Sequence, residues 1–428
     1  MSQNEGINRR QFLAGSAAAA LMLMAGAEEI HAQTAAAGAD ALPTGPPVNV
    51  GVIGLGAEGR DILGAIGRVP GVPIVAVCDT YVPAHKRALE IAPAAKATAD
   101  YHDVLNNKGV DAVFIATPTH LHKQITLDAV AAGKHVYLEA PIAHTIEDAK
   151  AIAIAGSGSK GMFQVGLQAR MNPQVLHVRH FIETGDLKTI AQIRAQWHKR
   201  TNWRRTAATP EREKDLNWRL YKATSPGLVG EVGTYSIDIA NWFLKGLPLS
   251  VAGYGGILAW GDDGRDVPDT VQCIIEYPNK VQLSYDATLA SSFDSAYNLY
   301  MGTGSTILLK DNRGWMFKEA DTDATGWEVY ARKDKIGDET GIALVADATK
   351  QLALGNKPAA EAAAAIETAG QDELYHAIQS FVQGIRDNKK PTAGALEGYQ
   401  AAVVAIKAND AINTGAKIVF QKEWFDLV

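Results

Sequence analysis

The sequence predicts an α/β protein: a doubly wound parallel sheet first, then an α/β domain with a large open, mainly antiparallel sheet. Three observations predict this. Short apolar runs alternate with helix-compatible stretches from Pro47 to Leu167, the pattern of strands joined by crossover helices and buried on both faces. Farther along, apolar residues take up period-two alternation, as at Ile193, Ala195 and Trp197, which marks strands with one polar face. The 428 residues are 47% hydrophobic and 21% charged, enough to build two or three cores and unlike a disordered or coiled-coil chain.

The first 46 residues read as a signal and linker. Asn8-Arg9-Arg10-Gln11-Phe12-Leu13-Ala14 precedes an Ala/Leu/Met run from Ala17 to Ala25. A positive start, a short apolar stretch and small residues are the layout of a secretory signal, and the paired arginines resemble a twin-arginine signal. Cleavage is expected after Ala27 or Ala32. The sequence thus predicts passage through the twin-arginine export machinery and a periplasmic or secreted location. No stable membrane insertion is expected after processing, because no apolar stretch reaches the ~20 residues that span a bilayer. An Ala-rich buried helix is the competing reading, but the run has no helical period and a polar linker follows it.

The folded protein is therefore expected to begin at Pro47. The run from Pro47 to Ile53 enters Gly54-Leu55-Gly56-Ala57-Glu58-Gly59, then a helical stretch through Ile66. Gly54 makes the turn, Gly56 lets the backbone approach a pyrophosphate, and Gly59 lets helix pack on strand, while the helix N-terminus offers free N–H groups to phosphate. A second strand, Ile74 to Cys78, ends at Asp79, 20 residues after Gly59, where an acid binds ribose hydroxyls. An acid there favours NAD over NADP, since a 2′-phosphate is repelled. The motif and its context predict a Rossmann domain over residues 47–168.

Next come a strand from Val110 to Ala116, the loop Thr117-Pro118-Thr119-His120-Leu121-His122, a helix from Ile125 to Ala132, and a strand from His135 to Glu139. Ligands sit beyond the carboxyl ends of such strands, so Thr117, His120 and Glu139 are candidate cofactor contacts. His120 and His122 have an alternative as helix caps or solvent-facing groups. Glu139 ends a buried strand and needs a partner or a role. Thr145 is a helix N-cap with Glu147 and Asp148 in the first turn, leading to a strand from Met162 to Leu167.

Residues 169–428 form the second predicted domain. Val271, Cys273, Ile275 and Tyr277, then Val281, Leu283 and Tyr285, repeat the alternation of adjacent strands. Leu374, Ala377, Ile378, Phe381 and Ile385 mark one late amphipathic helix, and Leu396, Tyr399, Val403 and Ile406 another; the Ala-rich stretch Ala359 to Ala369 is also read as helix. Lys199-Arg200-Thr201-Asn202-Trp203-Arg204-Arg205 combines cations with Trp, a pattern of phosphate or nucleic-acid contact, yet Glu211, Glu213 and Asp215 close behind favour a solvated or self-paired loop. An exposed Trp among arginines suits sugar stacking, so Trp203 is a candidate substrate contact. Tyr235 and Asp238 are three apart on a predicted helix and share a face.

Charge and cysteine content narrow the function further. Lys and Arg number 41 against 47 Asp and Glu, a net −6, the wrong sign for a protein that binds nucleic-acid phosphates. Cys78 and Cys273 are the only cysteines, which excludes a disulfide framework and a cysteine-built metal cluster; no metal site is assigned.

Gly54 to Gly59, Asp79, Ala116 to His122, Ala132 to Pro141 and Gly230 to Trp242 together resemble the Gfo/Idh/MocA oxidoreductase family. The resemblance runs from about Val48 to the C-terminal helices. It implies a Rossmann domain, a second domain whose sheet carries substrate on one side and often a partner subunit on the other, and hence a homo-oligomer. It places the loop holding Arg170 near the sugar site. It also implies a proton acceptor for a substrate hydroxyl, usually a lysine in Glu-Lys-Pro with a histidine and aspartate on the later helix. Here Ala140 stands at the lysine, a departure from the family pattern, and Tyr235 stands at the histidine, where relatives resembling glucose-fructose oxidoreductase also carry tyrosine. Tyr235, Asp238 and Glu139 are therefore the candidate catalytic groups. The alternatives are redox-neutral glycoside cleavage by transient oxidation, since NAD-dependent glycosidases also lack the lysine, and a carbohydrate-binding protein without turnover.

Overall fold

A computed structural model describes residues 45–323, 328, 331–345 and 373–427. The expected signal and the Ala359 to Ala369 helix lie outside the described residues. The chain divides into two units, Met1–Pro46 and Pro47–Val428, and every described helix and strand lies in the second.

Its first sheet is built from β1 (Val50–Ile53), β2 (Ile74–Cys78), β3 (Lys96–Thr98), β4 (Ala112–Ile115), β5 (His135–Leu138) and β6 (Phe163–Val165). The order is β3-β2-β1-β4-β5-β6, and every pairing is parallel. Helices α1 (Ala57–Ile66), α2 (Val82–Ile91), α3 (Tyr101–Asn106), α4 (His122–Ala131) and α5 (Ile146–Ser157) make the crossovers. Their starts follow from sequence. Asp100 accepts the His102 N–H at 2.9 Å, and the Thr145 hydroxyl accepts the Asp148 N–H at 3.2 Å, each satisfying a donor the helix leaves free. β1 and β4 are buried at every position, which is why they read as continuous apolar runs. The strand expected over Met162 to Leu167 is shorter, because the chain turns at Gly166 into a 3₁₀ turn over Gln168–Met171.

The second sheet has ten strands in the order β14-β15-β13-β12-β11-β7-β10-β9-β8-β16. After α6 (Pro173–Glu183) come β7 (Ile190–His198), a short α7 (Glu213–Leu216), a π-turn at Val229–Gly233 and α8 (Thr234–Leu244). Then follow β8 (Ser250–Gly256), β9 (Thr270–Glu276), β10 (Gln282–Thr288), β11 (Ala296–Gly302), β12 (Ser305–Lys310), β13 (Arg313–Lys318), β14 (Lys333–Ile336) and β15 (Glu339–Leu344). β7 and β10 are parallel, and the other pairings are antiparallel. Alternation settles the inner face: Val271, Cys273 and Ile275 on β9, and Leu283, Tyr285 and Ala287 on β10, are all buried.

The chain ends with α9 (Glu373–Asp387), α10 (Ala395–Thr414) and β16 (Ile418–Val419). α9 packs Ala377, Ile378, Phe381 and Val382 into the core of the first sheet. α10 serves both cores, giving Tyr399, Ala402 and Val403 to the first and Val404, Ala408 and Ile412 to the second. The late helices therefore belong to the first core as well as the second. Leu396, read as part of an apolar stripe, is instead 42% exposed, while Ala395 beside it is buried in the first core, so the first turn of α10 faces inward on another side.

Candidate active site

The loop after β1 has the form a dinucleotide requires. Gly54 sits at φ 95°, and a Cβ there lies 2.5 Å from the Ala116 carbonyl oxygen. A Cβ on Gly59 lies 1.9 Å from the Gly54 carbonyl oxygen, so these two glycines are set by contact within the protein. Gly56 is different: a Cβ there meets no protein atom within 4 Å. Its open face lies at the start of α1, where N–H groups and the helix dipole favour phosphate. Asp79 follows β2 and accepts the Leu55 N–H at 2.9 Å through Oδ2 and the Tyr81 N–H at 2.7 Å through Oδ1. Each oxygen keeps a second lone pair for a ribose hydroxyl.

The loop after β4 adds unpaired polar atoms. Thr117 Oγ1 and His120 Nδ1 are both buried with no partner in the protein, and such atoms call for a water, an ion or a ligand. Burial, then the neighbouring His144, holds the His120 imidazole below its ordinary range. His122 does not face solvent: it is buried, and its Nε2 donates to the Thr117 carbonyl at 2.9 Å. Burial pushes its pKa down to about 4, so it braces the loop as a neutral ring.

At the end of β5, Glu139 is 5% exposed and its Oε1 has no partner. A Cβ on Gly166 lies 2.6 Å from Glu139 Oε2, so that glycine leaves room for the carboxyl. Burial pushes Glu139 well above the ordinary carboxyl range; the Glu58 carboxylate pushes the same way, while the Ala140 N–H and the nearby Gln168 amide oppose. Tyr235, on α8, donates its hydroxyl to the Ala140 carbonyl at 3.1 Å. Burial and then Glu139 drive its pKa far above 10, so it stays a neutral phenol. The Ala140-Pro141 peptide is cis.

The structure thus brings Glu139 and Tyr235 together beside Gly54–Gly59 and the Thr117 loop. Asp238, one turn along α8 from Tyr235, is engaged elsewhere. Asp238 lies in the fork of Arg170, with Nε to Oδ2 and Nη2 to Oδ1 both at 2.8 Å. The third guanidinium nitrogen, Nη1, donates to the Thr392 carbonyl at 3.3 Å. Arg170, expected at the sugar, is therefore taken up by a buried ion pair. Trp203, expected to be exposed, is half-buried with its ring 6.2 Å from Trp197; an apolar neighbour from β7 accounts for the difference.

Sequence reasoning passed over Glu58, Arg219 and Glu231. Glu58 is a spacer in the glycine fingerprint, yet its carboxyl is raised by burial and then by Asp61, with Arg219 and Gln168 opposing. Glu231, on the π-turn, accepts Arg219 Nε at 3.1 Å, Ser225 Oγ at 3.2 Å and Thr119 Oγ1 at 3.3 Å. That Thr119 contact ties the second domain to the loop after β4. The available signal was an acid inside Gly-Glu-Val-Gly, where a buried turn has no need of one.

Comparison with known proteins agrees with this geometry. Residues 48–167 match the model of the oxidoreductase family with an NAD-binding Rossmann fold, and residues 175–307 match the GFO/IDH/MocA C-terminal domain.

The chain belongs to the Gfo/Idh/MocA family.

Among relatives in this family, levoglucosan dehydrogenase of Pseudarthrobacter phenanthrenivorans is 28% identical over 269 residues, 56% of this chain and 67% of that protein. Inositol 2-dehydrogenase of Salmonella typhimurium is 28% identical over 201 residues, 46% of this chain and only 55% of the relative. Glycosyl hydrolase family 109 protein 2 of Shewanella is 37% identical over 161 residues, 33% of this chain and 35% of that one. The solved levoglucosan dehydrogenase in complex with NADH and L-sorbose superposes with a TM-score of 0.70 at 20% identity, covering 87% of this chain and 99% of that one; at that identity the likeness concerns the fold. The first domain of this Gfo/Idh/MocA protein is an NAD-binding domain, and the open face of Gly56, the Asp79 carboxylate and the unpaired Thr117 and His120 atoms fit that cofactor.

Proposed function

We propose that the protein is an exported oxidoreductase that acts on a secondary hydroxyl of a sugar, polyol or glycoside with a tightly held NAD. The observation that carries this reading is the unpartnered Glu139 Oε1 beside Tyr235, at the carboxyl end of a strand in an NAD-binding sheet. The levoglucosan and inositol dehydrogenases among its relatives support the substrate class. NAD when bound supplies the hydride acceptor. Gly56 and the start of α1 hold the phosphates, and Asp79 holds the ribose. Glu139 takes the hydroxyl proton, its raised pKa suiting an acceptor that must later give the proton back. Tyr235, fixed as a neutral donor, orients the reacting oxygen. Asp238 acts as a positioning residue by fixing Arg170.

The twin-arginine-like start supports export of a folded, loaded protein to the periplasm or beyond, where NAD is scarce and must be retained. Membership in the family, whose large sheet often carries a partner subunit, supports a homo-oligomer. Mass spectrometry of ligand released from protein purified from an export-competent host, followed by a carbohydrate panel read for NADH formation, tests the proposal. Protein that neither contains nor takes up a nicotinamide dinucleotide would refute it.

A second reading, redox-neutral glycoside cleavage, is favoured by Ala140 in place of a lysine and by the glycosyl hydrolase relative. Cleavage of aryl glycosides without net NADH formation would select it.

A further inference from the structure

The connection between β7 and the π-turn, residues 199–228, is far longer than a turn between neighbouring elements requires. It touches the first domain on both sides of the groove over Gly54–Gly59. On one side the Arg212 guanidinium lies 3.8 Å above the centroid of Tyr81, the residue whose N–H holds Asp79. On the other side the Trp218 ring stands 6.2 Å from the His120 ring, and Ser225 shares Glu231 with Thr119. Between these anchors, partial burial first and then the charges of Arg219 and of Arg60, the first residue after the fingerprint, hold the Arg205 guanidinium below its ordinary range, which marks the three cations as neighbours.

The segment is held rather than loose. Asn217, 2% exposed, accepts the Arg205 N–H at 2.8 Å and donates to the Arg205 carbonyl at 3.0 Å. Arg204 pairs with Glu213. The Arg205 side chain, by contrast, is exposed. Arg60 spends one nitrogen on the Leu55 carbonyl at 2.9 Å, and Arg219 is neutralised by Glu231. Among the described residues neither Arg60 nor Arg205 pairs with a carboxylate. Two uncompensated guanidiniums near one another repel unless an anion lies between them, and Arg60 stands in the first turn of α1, whose N-terminus favours phosphate.

We propose that residues 199–228 form a strap across the cofactor groove, with Arg205 of the second domain and Arg60 of the first closing on the dinucleotide pyrophosphate. The strap makes release of the cofactor depend on the second domain letting go. This rests on the functional reading above and deepens it, since retention of NAD then has a structural cause. The expected self-pairing is present in Arg204 with Glu213, and Arg205 is the cation it leaves over.

The test is the rate at which NADH leaves the full-length protein, followed by fluorescence after a chase with excess NAD. Arg205→Ala should speed release roughly 10- to 100-fold, the scale of a lost charge-assisted contact, and Arg205→Glu should speed it more. Competition should show ADP-ribose weakened by a similar factor and adenosine, which lacks the pyrophosphate, unchanged. Because the Arg205 side chain is exposed and its like-charged neighbours repel it, thermal melts of the variants without nucleotide should be no lower than wild type. Arg212→Ala, which frees one anchor, should also speed release. Wild-type release and ADP-ribose affinity in both Arg205 variants would overturn the strap while leaving NAD binding intact. So would a loss confined to KM for an anionic sugar, which would assign Arg205 to substrate. Wild-type protein that binds no NADH would overturn both the strap and the functional reading.

Discussion

Arg170 grips both carboxylate oxygens of Asp238, with Nε to Oδ1 at 3.1 Å and to Oδ2 at 2.8 Å, and the two side chains are only 8% and 2% exposed. Burial pushes the Asp238 carboxyl up, and the guanidinium opposes it by hydrogen bond and charge. The pair joins the turn after β6 to α8, and so fixes α8 against the first sheet.

Asp238→Asn should therefore act on stability first. It leaves a buried guanidinium without its counter-charge, which costs about 3–5 kcal/mol. Urea unfolding should show a lower midpoint, and replacing both residues with apolar side chains of similar volume should restore much of it. An Asn variant as stable as wild type but inactive would instead make Asp238 a direct participant in proton transfer.

Glu139→Gln should separate stability from turnover. The folded pKa lies above the ordinary value of 4.5 because of burial and Glu58. Between those two values the folded state holds more protons than the unfolded one, so stability is fullest below about 4.5 and falls as pH rises toward the folded pKa. The amide carries no charge to bury. The variant should match wild type in acid and be more stable at neutral pH, by ~1.4 kcal/mol for every tenfold by which folding weakens the acid, with turnover abolished. Denaturant midpoints measured across pH check the slope.

The glycines of the fingerprint should respond differently. Gly59→Ala places a methyl 1.9 Å from a backbone oxygen and should lower Tm with or without nucleotide. Gly56→Ala meets no protein atom and should leave Tm of the unliganded protein unchanged while weakening NADH binding at least tenfold. Equal effects of the two on stability would mean that Gly56 has a packing role.

What the sequence made legible was local. Gly54, Gly56, Gly59 and Asp79 act through backbone shape within one βαβ unit, so spacing alone located them. Glu58 and Gln168 gained their roles only when α1, the end of β5 and the turn after β6 met in space. The partner of Asp238 lies 68 residues away, and no periodicity on α8 points to it. Helix α10 carries apolar residues toward two cores, which blurs the single stripe that helix reading relies on. Arg205 looked self-paired because acids follow it closely, yet Glu213 is engaged by Arg204.

Asp79→Ala should weaken NADH and narrow the preference over NADPH. The carboxylate also accepts the N–H groups of Leu55 and Tyr81, so the alanine variant loses loop order as well as the ribose contact. Asp79→Asn, which keeps an acceptor but no charge, should retain part of the NADH affinity and still lose discrimination, because repulsion of the 2′-phosphate needs the charge. Fluorescence titrations with both nucleotides separate these effects.

Tyr235→Phe removes one hydroxyl from a buried site. The Ala140 carbonyl loses its 3.1 Å donor, a cost of about 1–3 kcal/mol if the oxygen stays dry. Since the phenol titrates far above neutrality, its contribution to turnover comes from donation and orientation rather than from a phenolate. Turnover should fall about 10²–10⁴-fold with NADH affinity unchanged, and the pH dependence of the residual rate should keep the wild-type midpoint, which belongs to Glu139. A midpoint that moves with the substitution would make Tyr235 the titrating base and reduce Glu139 to its orienting partner.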